Sequence, residues 1–116
     1  MLLRDLATAL TIDPAKLTGY ALNRNHPRGQ HKARIFEAVL GYNLDNYRDL
    51  LKEIETKALD SQAQLLHADK HGRHYRVDIV IVGANGNKAT VRTGWLITPE
   101  QNTALLTTLY IRGSQP

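Results

Sequence analysis

The chain has no cysteine, and it has one methionine, one tryptophan and one phenylalanine among its 116 residues. Without cysteine there can be no disulfide framework and no thiolate metal site. No stretch approaches the roughly 18 apolar residues that a membrane-spanning helix needs. The opening "MLLRDLATAL" reaches Arg4 and Asp5 before any apolar run builds, so no secretory leader and no membrane attachment are expected. Low-complexity tracts and internal repeats are also missing. The length fits one domain, residues 1–116, able to bury a modest core.

Positive charge is plentiful. Fifteen Lys and Arg oppose eleven Asp and Glu, giving a net charge of +4 and a pI near 9.6. Such a balance favours an anionic partner, nucleic acid above all. The densest concentration is "NRNHPRGQHKAR", residues 23–34, with two histidines, three arginines and a lysine around Pro27 and Gly29. His26 precedes proline and is pushed toward extended backbone. Gly29 permits a turn where a side chain would clash. Lys32 and Arg34 then open a helix, although cations at a helix start oppose the macrodipole. Such placement suits anion binding, to which free backbone N–H groups at the helix start would add. The alternative is an ordinary exposed basic turn.

The chain changes style near residue 60. In "TIDPAKLTGYALN", Asp13 is placed to cap a helical segment starting at Pro14. The spacing of Phe36, Val39 and Leu40 predicts a helix from about Gln30 to Leu40, with Gly41 as its stop. A further helix is predicted from near Leu44, its core stripe formed by Leu44, Tyr47, Leu51, Ile54 and Ala58. Residues 61–74 read mainly as a polar connector, with a short strand possible at "AQLLHA". "HYRVDIVIV" then alternates, sending Tyr75, Val77, Ile79 and Ile81 one way and Arg76, Asp78, Val80 and Val82 the other. Asn85-Gly86 is a hairpin signal. Beyond it, Ala89, Val91, Thr93, Trp95 and Ile97 share a face, and "TALLTTLYI" supplies another strand. This order predicts an α+β fold: a helical N-terminal half, about residues 1–60, packed on one face of an antiparallel β-meander of three to four strands over about residues 61–112.

Candidate chemistry is sparse. His67, His71 and His74 contain an H-x3-H spacing, but in a glycine-containing linker without a carboxylate array they read as exposed loop histidines and not as a metal site. His74, beside a strand, is kept as a reserve acid or base. Arg76 and Asp78 on one strand face suit a cross-strand ion pair. Trp95 fits the core, or a flat wall for a base. Thr107 and Thr108 point to opposite faces, so only one can look the same way as Thr93. There is no nucleophile elbow, P-loop, dinucleotide fingerprint or zinc-protease motif, and no clear recognition helix of a DNA-binding regulator.

"LNRNHPRGQHKARIFEAVLGYN" and "YRVDIVIVGANGNKATVRTGWLITPEQNTALLTTLYI" together resemble a bacterial toxin-associated domain family. The shared signature runs Leu-Asn, His-Pro-x-Gly, Lys-Ala and a Phe before Leu-Gly, then Thr-x-Trp and a final Thr-x-Tyr. It covers about residues 17–111. That family is similar to the barnase, EndoU, colicin and RelE (BECR) group of small ribonucleases. Its members occur as C-terminal modules of polymorphic toxins and as small stand-alone proteins beside possible partner genes. The resemblance implies a metal-independent endoribonuclease toxin with no cofactor, in which a ribose 2′-OH attacks the adjacent phosphodiester. It implies a catalytic set of His26, Lys32, Thr93 and Thr108, with Arg28, Arg34, Arg76 and Trp95 on the substrate. The expected partners are RNA, tRNA included, and a cognate antitoxin or immunity protein. The site of action would be the cytoplasm, reached directly or as part of a larger secreted toxin. A non-catalytic interaction module, or the neutralising member of a toxin pair, is the competing expectation.

Overall fold

The computed structural model describes residues 1–113 of the chain. It contains a short 3-10 turn (Leu3–Asp5), strand β1 (Ala9–Thr11), a π-type turn (Leu17–Ala21) and helices α1 (Gln30–Leu40) and α2 (Tyr47–Lys57). A second 3-10 turn (Ala58–Asp60) then leads to strands β2 (Ala63–Asp69), β3 (Gly72–Val82), β4 (Lys88–Ile97) and β5 (Thr103–Ile111). The five strands form one sheet in the order β1-β5-β4-β3-β2. The β2–β5 pairings are antiparallel, but β1 runs parallel to β5 through Ala9–Thr103, Leu10–Ala104 and Thr11–Leu105.

This corrects the expected architecture of a helical first half on a three- to four-stranded antiparallel meander. The sheet is mixed and has five strands, and its first strand comes from the N-terminal segment. Helix there is confined to short turns and two 11-residue α-helices. β1 is only three residues long and draws its partner from the other end of the chain, so no local alternation marks it. Residues 61–74 are more than the polar connector expected: the possible strand at residues 63–68 is present as β2, and β2 and β3 form a hairpin around Lys70 and His71. β2 is almost wholly exposed and lacks the apolar alternation that marks a half-buried strand.

Other elements follow local chemistry closely. Asp13 Oδ1 accepts the Ala15 N–H at 3.0 Å, capping the segment after Ile12. α1 has the predicted bounds, and Gly41 ends it in the left-handed region at φ 73°. α2 starts later than Leu44 because Asn43 and Asn46 hold the preceding turn: Asn46 Oδ1 accepts the Asn43 N–H at 2.8 Å and Asn43 Oδ1 the Asp45 N–H at 2.9 Å. Leu44 is left exposed, and Leu50, Ile54 and Ala58 form the buried stripe. Glu53 ties α2 to the sheet by accepting from Lys57 Nζ and from the Val82 N–H, both at 2.8 Å.

One sheet face is the core. Successive cross-strand rows Tyr75–Trp95–Leu106, Val77–Thr93–Leu109 and Ile79–Val91–Ile111 are all buried. They join Phe36, Leu40, Leu50 and Ile54 in one cluster. Each fully buried large side chain contributes about 1.5–3 kcal/mol. Thr93 and Trp95 are 0% exposed in the middle of it. The Trp95 indole Nε1–H donates to Thr93 Oγ1 at 2.7 Å, and that hydroxyl donates to the Val77 carbonyl at 2.6 Å. The Thr93 hydroxyl at the centre is therefore fully used.

Thr93→Val keeps the shape but strands the indole N–H. It should cost about 1–3 kcal/mol in urea unfolding, the range for an orphaned buried donor. Thr93→Ser should recover much of that loss. Equal stability of Thr93→Val and wild type would show that the relay is unimportant.

Candidate functional site

The opposite sheet face is polar. Residues directly across an antiparallel ladder share a face, which gives the rows Arg76–Gly94–Thr108 and Asp78–Arg92–Tyr110. A bulge after Gly94 makes Trp95 pair with Leu106, so Thr107 is the extra residue and parity along β5 switches. The switch puts Thr108 and Tyr110 on the face away from Thr93.

Lys32 meets that face at the β5 edge. It is the third residue of α1 and only 9% exposed. Its Nζ lies 3.4 Å from Thr108 Oγ1, 4.8 Å from the Tyr20 ring centroid and 5.4 Å from that of Tyr110. Among the described residues it has no carboxylate partner. Cation–π contact offsets part of the desolvation cost, about 0.5–2 kcal/mol per ring. An anion would offset more.

His26 enters through Tyr20, against whose ring it sits edge-on at 4.8 Å. Its Nδ1 accepts the backbone N–H groups of Arg28 (3.0 Å) and Gly29 (2.9 Å), so Nε2 is the outward-facing nitrogen. These two N–H groups serve the turn and are not free for an anion. A Cβ on Gly29 would lie 2.3 Å from the Tyr20 carbonyl oxygen, so only glycine lets the basic turn close on the segment carrying Tyr20. A cavity of about 340 Å³ opens alongside, lined by Asp13, Ala15, Lys16, Tyr20, Thr107, Thr108 and Leu109.

Across the sheet, Arg92 grips Asp78 bidentately at 3.0 and 3.1 Å. The guanidinium of Arg112 lies 3.7 Å from the same carboxylate, and Arg92 also bonds the Tyr110 hydroxyl. The hydrogen bonds from Arg92 hold the Asp78 carboxyl below its ordinary 3.8, against partial burial. Arg76 donates to Gln64 on β2. A chain of contacts thus runs His26–Tyr20–Lys32–Tyr110–Arg92–Asp78, joining the basic turn to the sheet.

The structure brings together His26, Lys32 and Thr108, with Arg76 on the same sheet face. Arg28 and Arg34 are exposed on the turn and on α1. Thr93 and Trp95 lie on the core face, where neither reaches an RNA, so their expected roles in catalysis and base stacking have no access to substrate. His74 stands apart near the β2–β3 turn, its Nε2 3.0 Å from Asp69 Oδ2. The Asp69 carboxyl is held below its ordinary value, chiefly by the His71 backbone N–H and then by His74. Tyr20 and Tyr110 escaped sequence reasoning. Tyr110 was signalled by the Thr-x-Tyr ending, which sets it one pleat beyond Thr108; Tyr20 had no such mark.

The chain belongs to the family described as "Domain of unknown function (DUF6883)", which it matches over residues 2–113. No curated protein and no solved structure matches it. Among the described residues no helix is long and apolar enough to cross a membrane.

Asp78 has a pH signature. A carboxyl whose folded pKa is depressed adds stability above its unfolded value and loses it as pH falls through the folded one. Acid unfolding of wild type should therefore steepen below the ordinary 3.8, and Asp78→Asn should flatten that limb while lowering stability at neutral pH. Parallel pH curves for the two proteins would refute this role.

Proposed function

We propose that this chain is a metal-independent endoribonuclease of toxin type. The observation that carries the reading is Lys32: a nearly buried ammonium, without a carboxylate, facing Thr108 between two tyrosine rings. A phosphodiester is an anion of the right chemistry to complete that site, and flat rings beside it suit nucleotide bases. The resemblance to the BECR ribonucleases points the same way, as does the net charge of +4.

In this reading His26, whose Nδ1 accepts from the turn, carries its proton on Nε2 and donates it as a hydrogen bond to a phosphate oxygen, while water takes the proton of a ribose 2′-OH. The O2′–P bond forms, the P–O5′ bond breaks, and the leaving oxygen takes a proton from water. Products are a 2′,3′-cyclic phosphate and a 5′-hydroxyl. Lys32 holds the charge that builds on the phosphorane, with Thr108 Oγ1 donating beside it. Arg28, Arg34 and Arg76 follow the RNA backbone. Thr93 and Trp95 contribute by fixing β4 from below. A cognate antitoxin or immunity protein would neutralise the enzyme by covering Lys32. The cytoplasm is the site of action, reached directly or as the tail of a secreted toxin. Supporting a metal-independent reaction, the cavity brings one carboxylate, Asp13, whose Oδ1 already accepts from Ala15.

The test is incubation of purified protein with total RNA in EDTA, followed by end-group analysis. Cleavage leaving cyclic phosphate ends is expected, and strict dependence on added metal would overturn the mechanism. His26→Asn is the informative variant, because an Asn side-chain oxygen can still accept the turn N–H groups but places no N–H where Nε2 stands. It should fold like wild type and lose about a hundredfold or more in cleavage, the scale for one donor to the developing charge. Lys32→Met should lose a similar factor. Salt-sensitive RNA binding that depends on Lys32, with no cleavage under any condition, would instead establish the interaction-module reading.

A further inference from the structure

We propose that the β2–β3 hairpin carries a binding site for a first-row divalent transition-metal ion, Zn²⁺ being the type, held by His67, Asp69 and His74. The inference goes beyond the ribonuclease reading and does not use it. His74 lies two strands from Thr108, on the order of 10 Å away.

The placement originates in the strand register. A shift between Leu65 and His67 makes Leu66 the extra residue and sets His67 directly opposite His74. Their rings stack with centroids 4.3 Å apart and planes 13° from parallel. Both Nε2 atoms turn toward one oxygen: Asp69 Oδ2 lies 3.0 Å from His74 Nε2 and 3.7 Å from His67 Nε2. All three donor atoms fall within 4.8 Å of one another. Ligands on a tetrahedral ion with bonds of about 2.0–2.1 Å stand about 3.3 Å apart. The two Asp69 distances bracket that value.

The carboxylate is also oriented in advance. Asp69 Oδ1 accepts the His71 backbone N–H at 2.9 Å, which leaves Oδ2 aimed at the rings. Outer contacts of this kind commonly fix metal ligands. The stacked rings lie nearly parallel, so binding turns the exposed His67 ring out of the stack until both Nε2 lone pairs converge, while His74 and Asp69 stay in place. Two imidazoles and one carboxylate select zinc, cobalt, nickel or copper over magnesium and calcium, which prefer all-oxygen shells. Three protein ligands leave the fourth position for water or an exogenous donor. His71, though within the H-x3-H spacing of the sequence, contributes its backbone and not its ring.

Calorimetric titration of the tag-free full chain with zinc chloride tests this directly, with cobalt(II) absorption reporting the coordination geometry. One Zn²⁺ per chain is expected, along with tetrahedral cobalt bands and no displacement by excess Mg²⁺. His67→Ala and Asp69→Asn should each weaken binding at least about tenfold, whereas His71→Ala should leave it unchanged. Far-UV circular dichroism should show all three variants folded, as these side chains are exposed. Absence of stoichiometric binding, retention of it in both His67→Ala and Asp69→Asn, or an equal loss in His71→Ala would each overturn the proposal. No RNA enters the titration, so its failure is separate from failure of the ribonuclease reading.

Discussion

The Trp95 indole has one hydrogen-bond partner, the Thr93 hydroxyl, and the two-faced character of the sheet depends on that contact. A tryptophan buried at the centre of β4 needs an acceptor for its N–H. Thr93 supplies one two residues away on the same face, and its hydroxyl in turn donates a hydrogen bond to the Val77 carbonyl. With this polar need met inside, Tyr75, Val77, Ile79 and Val91 can close around the indole. The reverse face of the same strands is then free to be polar. Asp78, Arg92, Arg76 and Tyr110 stand where apolar residues would otherwise be wanted, and α1 delivers Lys32 to their margin.

How far the sequence disclosed this can be judged residue by residue. α1, its glycine stop and the β3–β4 hairpin were legible because each is governed by neighbours in the chain: helical spacing, a left-handed cap, alternation around Asn85-Gly86. The partnership of His26 and Lys32 with Thr108 was legible only as a motif-level expectation. The pairing of Thr93 with that group was not, because a single extra residue at Thr107 reverses which β5 side chains share its face. A bulge leaves little local trace in composition. β1 was invisible for another reason: three residues paired with a segment more than ninety positions away carry no local signal. β2 was legible only as a possible short strand at residues 63–68, because an edge strand exposed on both sides has little alternation to show.

The basic turn also means something different once folded. His26 holds the turn closed through Nδ1, and Gly29 sits where any side chain would strike Tyr20. Structure and chemistry are divided between two nitrogens of one ring. The cations after it oppose the helix dipole at Lys32, and the fold offsets that with two aromatic faces rather than with an acid. A carboxylate would have been the simpler neighbour, and it would have neutralised the one nearly buried charge among the described residues.

The N-terminal segment touches both ends of the sheet. Leu2 bridges to Gln62 ahead of β2, while Ala9–Thr11 pairs with Thr103–Leu105 in β5. A short strap thus joins one part of the chain to another made more than ninety residues later. During synthesis β1 has no strand to join until residues 103–105 have emerged, and contacts so distant in sequence form late and slowly. The helices and the β2–β3–β4 meander can gather first. The parallel edge then acts as a clasp, and the order of translation makes it the closing step of folding.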